Sequence, residues 1–444
     1  MSGRMTEGSI RGHILRYALP LVLSNYFQLT YNAVDSIILG RTLGAEALAA
    51  SGSAGPLMNF LILAISGLCI GASVILSENY GAGDMQGVRR AFRALLRLGL
   101  ILALSVTVLT ELLLPVILSW LRVSGSVQAL SVTYLRFLLL GIPVTFLYNA
   151  CASLLKSMGN AKLPLFALMI SSCGNIVLDL VMIRLLGMGI AGAAVATVCA
   201  QCLSLALVGG WIMKRPDLRW NVREKGPGRD ISLKILRDGG ITALQQACQP
   251  VGKLMIQSQV NGLGVVGMAA FSAVGRMDDY ACIPEQNLGS AAMVFLAQNR
   301  GGGQKQRLRE GFMTALRLEA LYGVMISLAL FFLREGVMRL FVTDAEVIRA
   351  GSDYMALMAW FYLLPAMTNL CQGFFRGMHR MRVTLWGTIC QITVRVIMTY
   401  ILVPVCGLKG IAWASALGWI LMLAWEVPMV IRSLRRLGGK ADGR

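Results

Sequence analysis

The stretch "ENYGAGDMQGVRRAF", residues 78–92, has a counterpart 220 residues later in "QNRGGGQKQRLREGF", residues 298–312, aligned without a gap. Asn79 faces Asn299, Gly81 faces Gly301, Gly83 faces Gly303 and Phe92 faces Phe312. The same register holds upstream, where "LGAEALAASGSA" from Leu43 faces "LGVVGMAAFSAV" from Leu263. It also holds downstream: "YLRF" at Tyr134 meets "YMAL" at Tyr354, and "LLKSM" at Leu154 meets "FFRGM" at Phe374. An echo of this length makes the chain an internal duplication, so each half specifies the same structure.

Composition sets the solvent in which that structure forms. The 444 residues are 56% hydrophobic and 14% charged, and the mean hydropathy is +0.66; soluble domains carry about 25% charged residues. Apolar runs of about 20 residues suffice to cross a hydrocarbon layer of about 30 Å. Such runs fall near 14–39, 51–77, 94–119, 131–155, 163–183, 190–213, 236–260, 268–297, 312–333, 352–375, 383–405 and 410–431. The sequence therefore predicts an all-α polytopic membrane protein of twelve transmembrane helices, as two six-helix lobes in a 6+6 pseudo-symmetric repeat. Six spans per repeat is an even number, so both halves enter the membrane in the same sense, as in transporters built from parallel repeats. The expected domains are a lobe over 1–213, a polar, basic, Pro/Gly-containing linker over 214–234, a second lobe over 235–432, and a tail over 433–444.

The formal charge of +19 would suit a nucleic-acid partner, but its placement argues against one. With the N-terminus inside the cell, 30 of the 41 Lys and Arg residues fall in or beside inner segments, the bias that the positive-inside rule describes. The basic balance then reports both termini in the cytoplasm and contact with anionic membrane lipids. The N-terminal run has no small-residue cleavage site and reads as the first span. No organellar or outer-membrane signal is visible, so the expected location is the plasma (inner) membrane of a prokaryote. The ten cysteines lie almost entirely within apolar runs, and Cys199 and Cys202, a C-x-x-C pair in the sixth span, read as helix packing. His13 and His379 are the only histidines, which leaves neither a metal set nor an acid–base constellation; no enzyme activity, metal or cofactor is expected. No P-loop is present, so ATP is not implied.

Ionisable residues at bilayer depth are costly and tend to mark ion or substrate paths. Asp35 lies in the first span, in "YNAVDSIILG", and Asp179 in the fifth, in "SSCGNIVLDLVMI". Both spans run from inside to outside and both acids sit in the outer part, so they are able to meet. Asn175 is four residues before Asp179 and projects from the same face. Thr197 in the sixth span falls at similar depth, and Asn149 in the fourth falls deeper, near a bend expected at Pro143. Two carboxyls together in low dielectric cannot both ionise cheaply, which favours holding a proton. Either acid would also serve as a static hydrogen-bonding residue between helices.

In this order on this scaffold, "VDSIILGRTLGAEALAA", "ENYGAGD", "QNRGGG" and "GNIVLD" resemble the multidrug and toxic compound extrusion (MATE) transporters along essentially the whole chain. The resemblance implies alternating-access export of small amphipathic or cationic, drug-like compounds, coupled to H+ or Na+ with the proton preferred, by a monomer. It implies that Asp35, Asp179, Asn175, Asn149 and Thr197 bind the coupling cation and that Pro20 lets the first helix bend. A flippase for a lipid-linked precursor on a related fold is the alternative, with Lys253, Arg276 and Arg395 as its basic groups.

The second half departs from the first. Met255 stands opposite Asp35, Thr399 opposite Asp179 and Arg395 opposite Asn175, so the acid pair has no twin. The sodium-coupled members of the family carry acids in the seventh and tenth spans, where this chain has Gln245, Gln246 and Asn369. The seventh span shows a polar stripe, Gln246, Gln249, Lys253 and Gln257, on one helical face. The eighth adds Asp278, Asp279 and Glu285, and Lys253 is expected to pair with one of them, because an unpaired buried charge costs more. These seven residues either line a substrate cavity or form a static ion-pair network.

Overall fold

The computed structural model describes residues 4–120, 125–218, 226 and 228–438. Among them the chain is helical, with no strand. Fourteen α-helices follow in order: α1 (Ile10–Leu43), α2 (Ala45–Ala82), α3 (Met85–Trp120), α4 (Gly125–Leu140), α5 (Ile142–Ser157), α6 (Lys162–Leu180), α7 (Gly189–Met213), α8 (Arg229–Asn261), α9 (Gly264–Gly301), α10 (Lys305–Phe341), α11 (Ala345–Ala359), α12 (Leu363–Gly377), α13 (Met381–Cys406) and α14 (Leu408–Gly438). The α4–α5 pair bends by 42° and the α11–α12 pair by 50°, each pair making one broken span. The fourteen helices are thus twelve transmembrane passes.

The breaks have a local cause. Pro143 sits in the first turn of α5, where its missing N–H costs nothing but the preceding helix cannot continue. In the second repeat Pro365 also falls in the first turn of its helix, as the third residue of α12, two positions on from the counterpart of Pro143. Seven single helices are apolar enough to cross a membrane on composition alone. The remaining three, α1, α8 and α9, are long enough but more polar; α8, for example, reads "ALQQACQPVGKLMIQSQVN" over its second half.

The duplicated stretch is a helix–turn–helix corner, and its glycines explain its chemistry. Gly83 has φ 79° and Gly303 φ 70°, in the left-handed region that glycine enters without a Cβ penalty. In both repeats the turn closes alike: Asp84 N donates to Asn79 O at 3.0 Å, and Gln304 N to Asn299 O at 2.9 Å. Asp84 additionally caps α3, accepting from Gly87 N at 2.8 Å.

The helices form two compact units. One comprises Leu23–Ala243; the other comprises the N-terminal segment up to Val22 together with Leu244 onwards. The first part of α1 therefore belongs to the second unit, and the first part of α8 to the first. This division differs from expected lobes of 1–213 and 235–432, because each unit takes its opening helical turns from the other repeat. The expected linker over 214–234 is shorter than foreseen: a single 3-10 turn, Pro216–Leu218, follows α7, and α8 has begun by Arg229. Residues 219–225 and 227 of that linker, and 439–444 of the expected tail, lie outside the described residues.

In the first unit α2 is the central helix, packed against α3, α4 and α5, with every side chain from Gly71 to Ser77 buried. It meets α8 at glycine: a Cβ on Gly67 would lie 2.3 Å from Ala243 Cα, and one on Gly71 2.4 Å from Gly239 N. Such approach of small residues is how membrane helices gain dispersion contact without a hydrophobic drive. In the second unit α9 is central, against α10, α11 and α12, and Gly289 and Gly373 bring α9 and α12 together; a Cβ on Gly373 would lie 2.3 Å from Gly289 O.

The second unit also holds the start of the chain. Met5 N donates to Gln298 Oε1 at 2.9 Å, and Met5 O accepts from Asn299 Nδ2 and from Arg307 Nη2, both at 3.1 Å. Arg307 Nη1 donates to Gly8 O at 3.0 Å, and its Nε to Asn299 Oδ1 at 3.0 Å.

Candidate functional site

Within the first unit, α1, α4, α6 and α7 bring together Tyr31, Asp35, Tyr134, Asn175, Asp179 and Thr197. The carboxyls of Asp35 and Asp179 lie within hydrogen-bonding reach of one another. Asp35 is half-buried, whereas Asp179 and Asn175 have no exposed surface. The Asn175 amide, oriented to satisfy its neighbours, donates from Nδ2 to Asp179 Oδ2 at 2.9 Å and contacts the Tyr31 hydroxyl at 3.0 Å. Its oxygen accepts from Thr197 N at 3.2 Å.

Thr197 turns its hydroxyl onto the Ala193 carbonyl, 3.0 Å away, and its side chain also neighbours the Tyr31 hydroxyl. Tyr134 faces both acids. Ser171 and Ser204, whose hydroxyls are 2.5 Å apart, pin α6 to α7 nearby. Just past Asp179, α6 widens into a π-helical turn, Val181–Leu185, a feature frequent at functional sites because it re-aims the preceding side chains.

One atom in this cluster is left over. Asp179 Oδ1 is buried and meets no hydrogen-bond donor among the described residues, while the nearby Asp35 carboxyl, if ionised, would only repel it. A hydrogen bond between two carboxyls requires a proton on one of them. The arrangement is chemically suited to hold one proton between two acids, with an amide and two tyrosine hydroxyls as fixed neighbours.

The other expected members lie differently. Asn149, on α5, donates back to the Thr145 carbonyl of its own helix at 3.0 Å, and Thr145 donates to Gln201 Oε1 at 2.7 Å. Pro20 is buried in the part of α1 that belongs to the second unit, two residues before the boundary, and the helix runs through it. Tyr31 and Tyr134 were not foreseen. Tyr31 is signalled by its spacing of four from Asp35, whereas nothing local marks Tyr134.

In the second unit, the stripe on α8 is graded. Gln246 and Gln257 are half-buried, Gln249 and Lys253 exposed; Gln257 Nε2 donates to Asn261 Oδ1 at 2.9 Å. Lys253 Nζ lies 3.8 Å from Asp279 Oδ1 in an exposed ion pair. Asp278 accepts a hydrogen bond from the Tyr362 hydroxyl and faces Arg395. Glu285 has no exposed surface, so it presents no carboxylate to an accessible face. The neighbouring Gln245 is the anchored glutamine of α8: it is buried, donates to Gln372 Oε1 at 3.0 Å and Thr388 Oγ1 at 2.8 Å, and accepts from Arg376 Nη2 at 3.1 Å. Glu319 on α10 and Glu426 on α14 are further acids with no exposed surface. Each carries the sequence signal of Asp35, a lone acid in an apolar run. No cluster of His, Cys, Asp or Glu among the described residues is arranged to hold a metal ion.

The fold is shared with solved transporters. A multidrug resistance MATE family transporter in an outward-facing conformation superposes with a TM-score of 0.90 at 23% identity, over 98% of each chain. A MATE structure in the bent conformation gives 0.92 at 23%, again over 98% of each. Among curated proteins, the probable multidrug resistance protein YpnP of Bacillus subtilis is 26% identical over 372 residues, 84% of this chain and 83% of its own. The FAD transporter of Shewanella oneidensis is 24% identical over 415 residues, 92% of each. The MatE profile matches twice, over residues 20–181 and 242–401, one match to each half of the duplication. The chain thus belongs to the MatE family, the membrane transporters of multidrug and toxic compound extrusion.

Proposed function

We propose that this protein is an antiporter that exports small amphipathic or cationic compounds, driven by a cation that binds at Asp35 and Asp179, with the proton preferred over sodium. The observation that supports this reading is the buried acid pair itself, with Asp179 Oδ1 lacking any donor other than a proton shared with Asp35. Relatives with names such as multidrug resistance protein support the cargo class. Binding of a proton favours one arrangement of the helices and its release another; a ligand shifts such an equilibrium only by its differential affinity. One charge crossing the membrane gains about 2.3 kcal/mol per 100 mV, enough to sustain roughly a fifty-fold gradient of a neutral solute.

The accessible polar face of α8, at Gln246, Gln249, Lys253 and Gln257, would offer cargo a row of hydrogen-bonding groups, and Asp279 a charge for cations. The protein sits in a plasma membrane with both termini cytoplasmic, a reading supported by the basic inner segments.

The test is substrate-driven proton movement in vesicles reconstituted with the purified protein and loaded with a pH-sensitive dye. Proton movement that Asp35→Asn abolishes agrees with the proposal. Export that continues unchanged in both Asp35→Asn and Asp179→Asn would overturn it, and replacing sodium by choline at a fixed pH gradient identifies the ion.

A further inference from the structure

One face of α9 carries Asp278, Cys282 and Glu285, spaced by four and then three residues, so their side chains stack over two turns. Exposure falls along this row. Asp279, adjoining it, is open and paired with Lys253; Asp278 is half-buried and bonded to Tyr362; Glu285 is wholly enclosed. Across from Glu285, on α10, stands Glu319, also wholly enclosed and close enough for the two acids to act on each other electrostatically.

The surroundings of this second pair lack what a carboxylate needs. Among the described residues, neither oxygen of Glu285 nor either oxygen of Glu319 meets a hydrogen-bond donor in good geometry. The Glu285 carboxyl lies beside the Cys282 thiol and the Asn369 side chain. Tyr322, one turn beyond Glu319 on α10, donates to the Ala281 carbonyl at 2.7 Å. The basic groups nearby, Lys253 on α8 and Arg395 on α13, face Asp278, and so do the hydroxyls of Tyr362 and, from α11, Tyr354. Glu426 differs, because the Arg376 guanidinium acts on it.

Burying an ionised carboxylate costs several kcal/mol even after relaxation, unless a cation or donors offset it. Two such groups side by side add mutual repulsion. A metal cation that prefers oxygen gathers about six ligands or more; the two carboxyls and one amide here offer at most five oxygens, and among the described residues no group of three or more His, Cys, Asp or Glu side chains is placed to hold a metal ion. A proton needs only one oxygen to bind and one to accept.

We propose that Glu285 and Glu319 form a second proton-binding site, loaded from solvent through Asp278. Two turns of helix, about 10 Å, separate the two carboxyls, so the proton moves by relay: the Asp278 carboxyl gives its proton to the Cys282 sulfur as the thiol gives its own proton to the Glu285 carboxylate, which becomes neutral while the thiol is restored. Asp278 regains its charge and takes the next proton from the exposed side, at Asp279. Cys282 follows Asp278 by four residues and precedes Glu285 by three on the same face of α9, and its thiol lies beside the Glu285 carboxyl. This site belongs to the unit that lacks the Asp35–Asp179 pair, so it goes beyond the coupling reading and survives if that reading fails.

The test uses the full chain carrying Asp35→Asn and Asp179→Asn, in lipid vesicles in sodium-free choline buffer. It records the infrared difference spectrum between acid and alkaline conditions. A carboxylic-acid carbonyl band is expected in this background and is lost when Glu285→Gln or Glu319→Gln is added. A band untouched by both substitutions overturns the proposal, as does the absence of any carboxyl difference signal. A band that sodium removes at fixed pH also overturns it, by making the site a metal-cation site. If Glu285→Gln fails to fold, Glu285→Asp is expected to keep the band at a shifted frequency, and an unshifted band counts against Glu285.

Discussion

Asn175 and Asp179, one turn apart on α6, are joined by a hydrogen bond of 2.9 Å from amide to carboxylate. The bond favours the ionised acid, since a carboxylate accepts it better than a neutral carboxyl. Hydrogen bonds to charged groups contribute about 1.5–3 kcal/mol. In Asn175→Ala the acid is therefore expected to hold its proton more tightly. The pH of half-maximal coupled transport should move upward by about one unit or more. A profile that does not move would mean that Asn175 serves only to fasten α6 to α7.

Asp35→Asn and Asp179→Asn each fix one member of the pair in a shape resembling its protonated form. Proton-coupled flux is expected to drop at least about tenfold in either variant, a loss of about 1.4 kcal/mol of driving interaction. Binding of a dye substrate to the detergent-solubilised protein should persist. Equal loss of binding and flux would point to misfolding instead, which size-exclusion chromatography detects.

Gly71 sits where any Cβ would meet the Gly239 backbone. Gly71→Ala forces α2 and α8 apart, and overpacking of this kind costs about 1–3 kcal/mol. A lowered unfolding temperature in a detergent thermal melt is the expected result. Gly275, inside α9, whose Cβ would meet nothing within 4 Å, is the control: Gly275→Ala should not lower the melt, because alanine is favoured over glycine in a helix interior by about 1 kcal/mol.

Arg307→Ala removes the donor that fastens Met5 and Gly8. Amide exchange in the segment from Arg4 to Ser9 is expected to speed up by at least about tenfold, the loss of a single charge-assisted hydrogen bond. Peptide-resolved hydrogen–deuterium exchange reads this directly, and unaltered exchange would show that the Gln298 and Asn299 contacts suffice.

Nine of the twelve passes are apolar enough to be legible from composition, α1, α8 and α9 being long runs diluted by polar residues, and the duplication was legible because Asn79/Asn299 and Gly83/Gly303 answer to the same turn geometry. The bend at Pro143 was legible for the same local reason. Asp35 and Asp179 stood out as acids in apolar runs, and Asn175 by its helical spacing. Tyr134 could not be read in this way, since a tyrosine in an apolar helix carries no signal of the acids it faces. Glu319 and Glu426 carry the signal of Asp35, but the sequence does not distinguish an acid facing an arginine from one facing another acid. The exchange of helix beginnings between the units was illegible too. A repeat register shows which segments are equivalent, not which copy each one joins.

That exchange bears on how the chain divides. Each unit is completed by about twenty residues that the other copy encodes. A single repeat, translated alone, lacks the opening helix turns that its own unit takes from the other copy. Cutting the present gene between the repeats would return two fragments that have to be made together to fold.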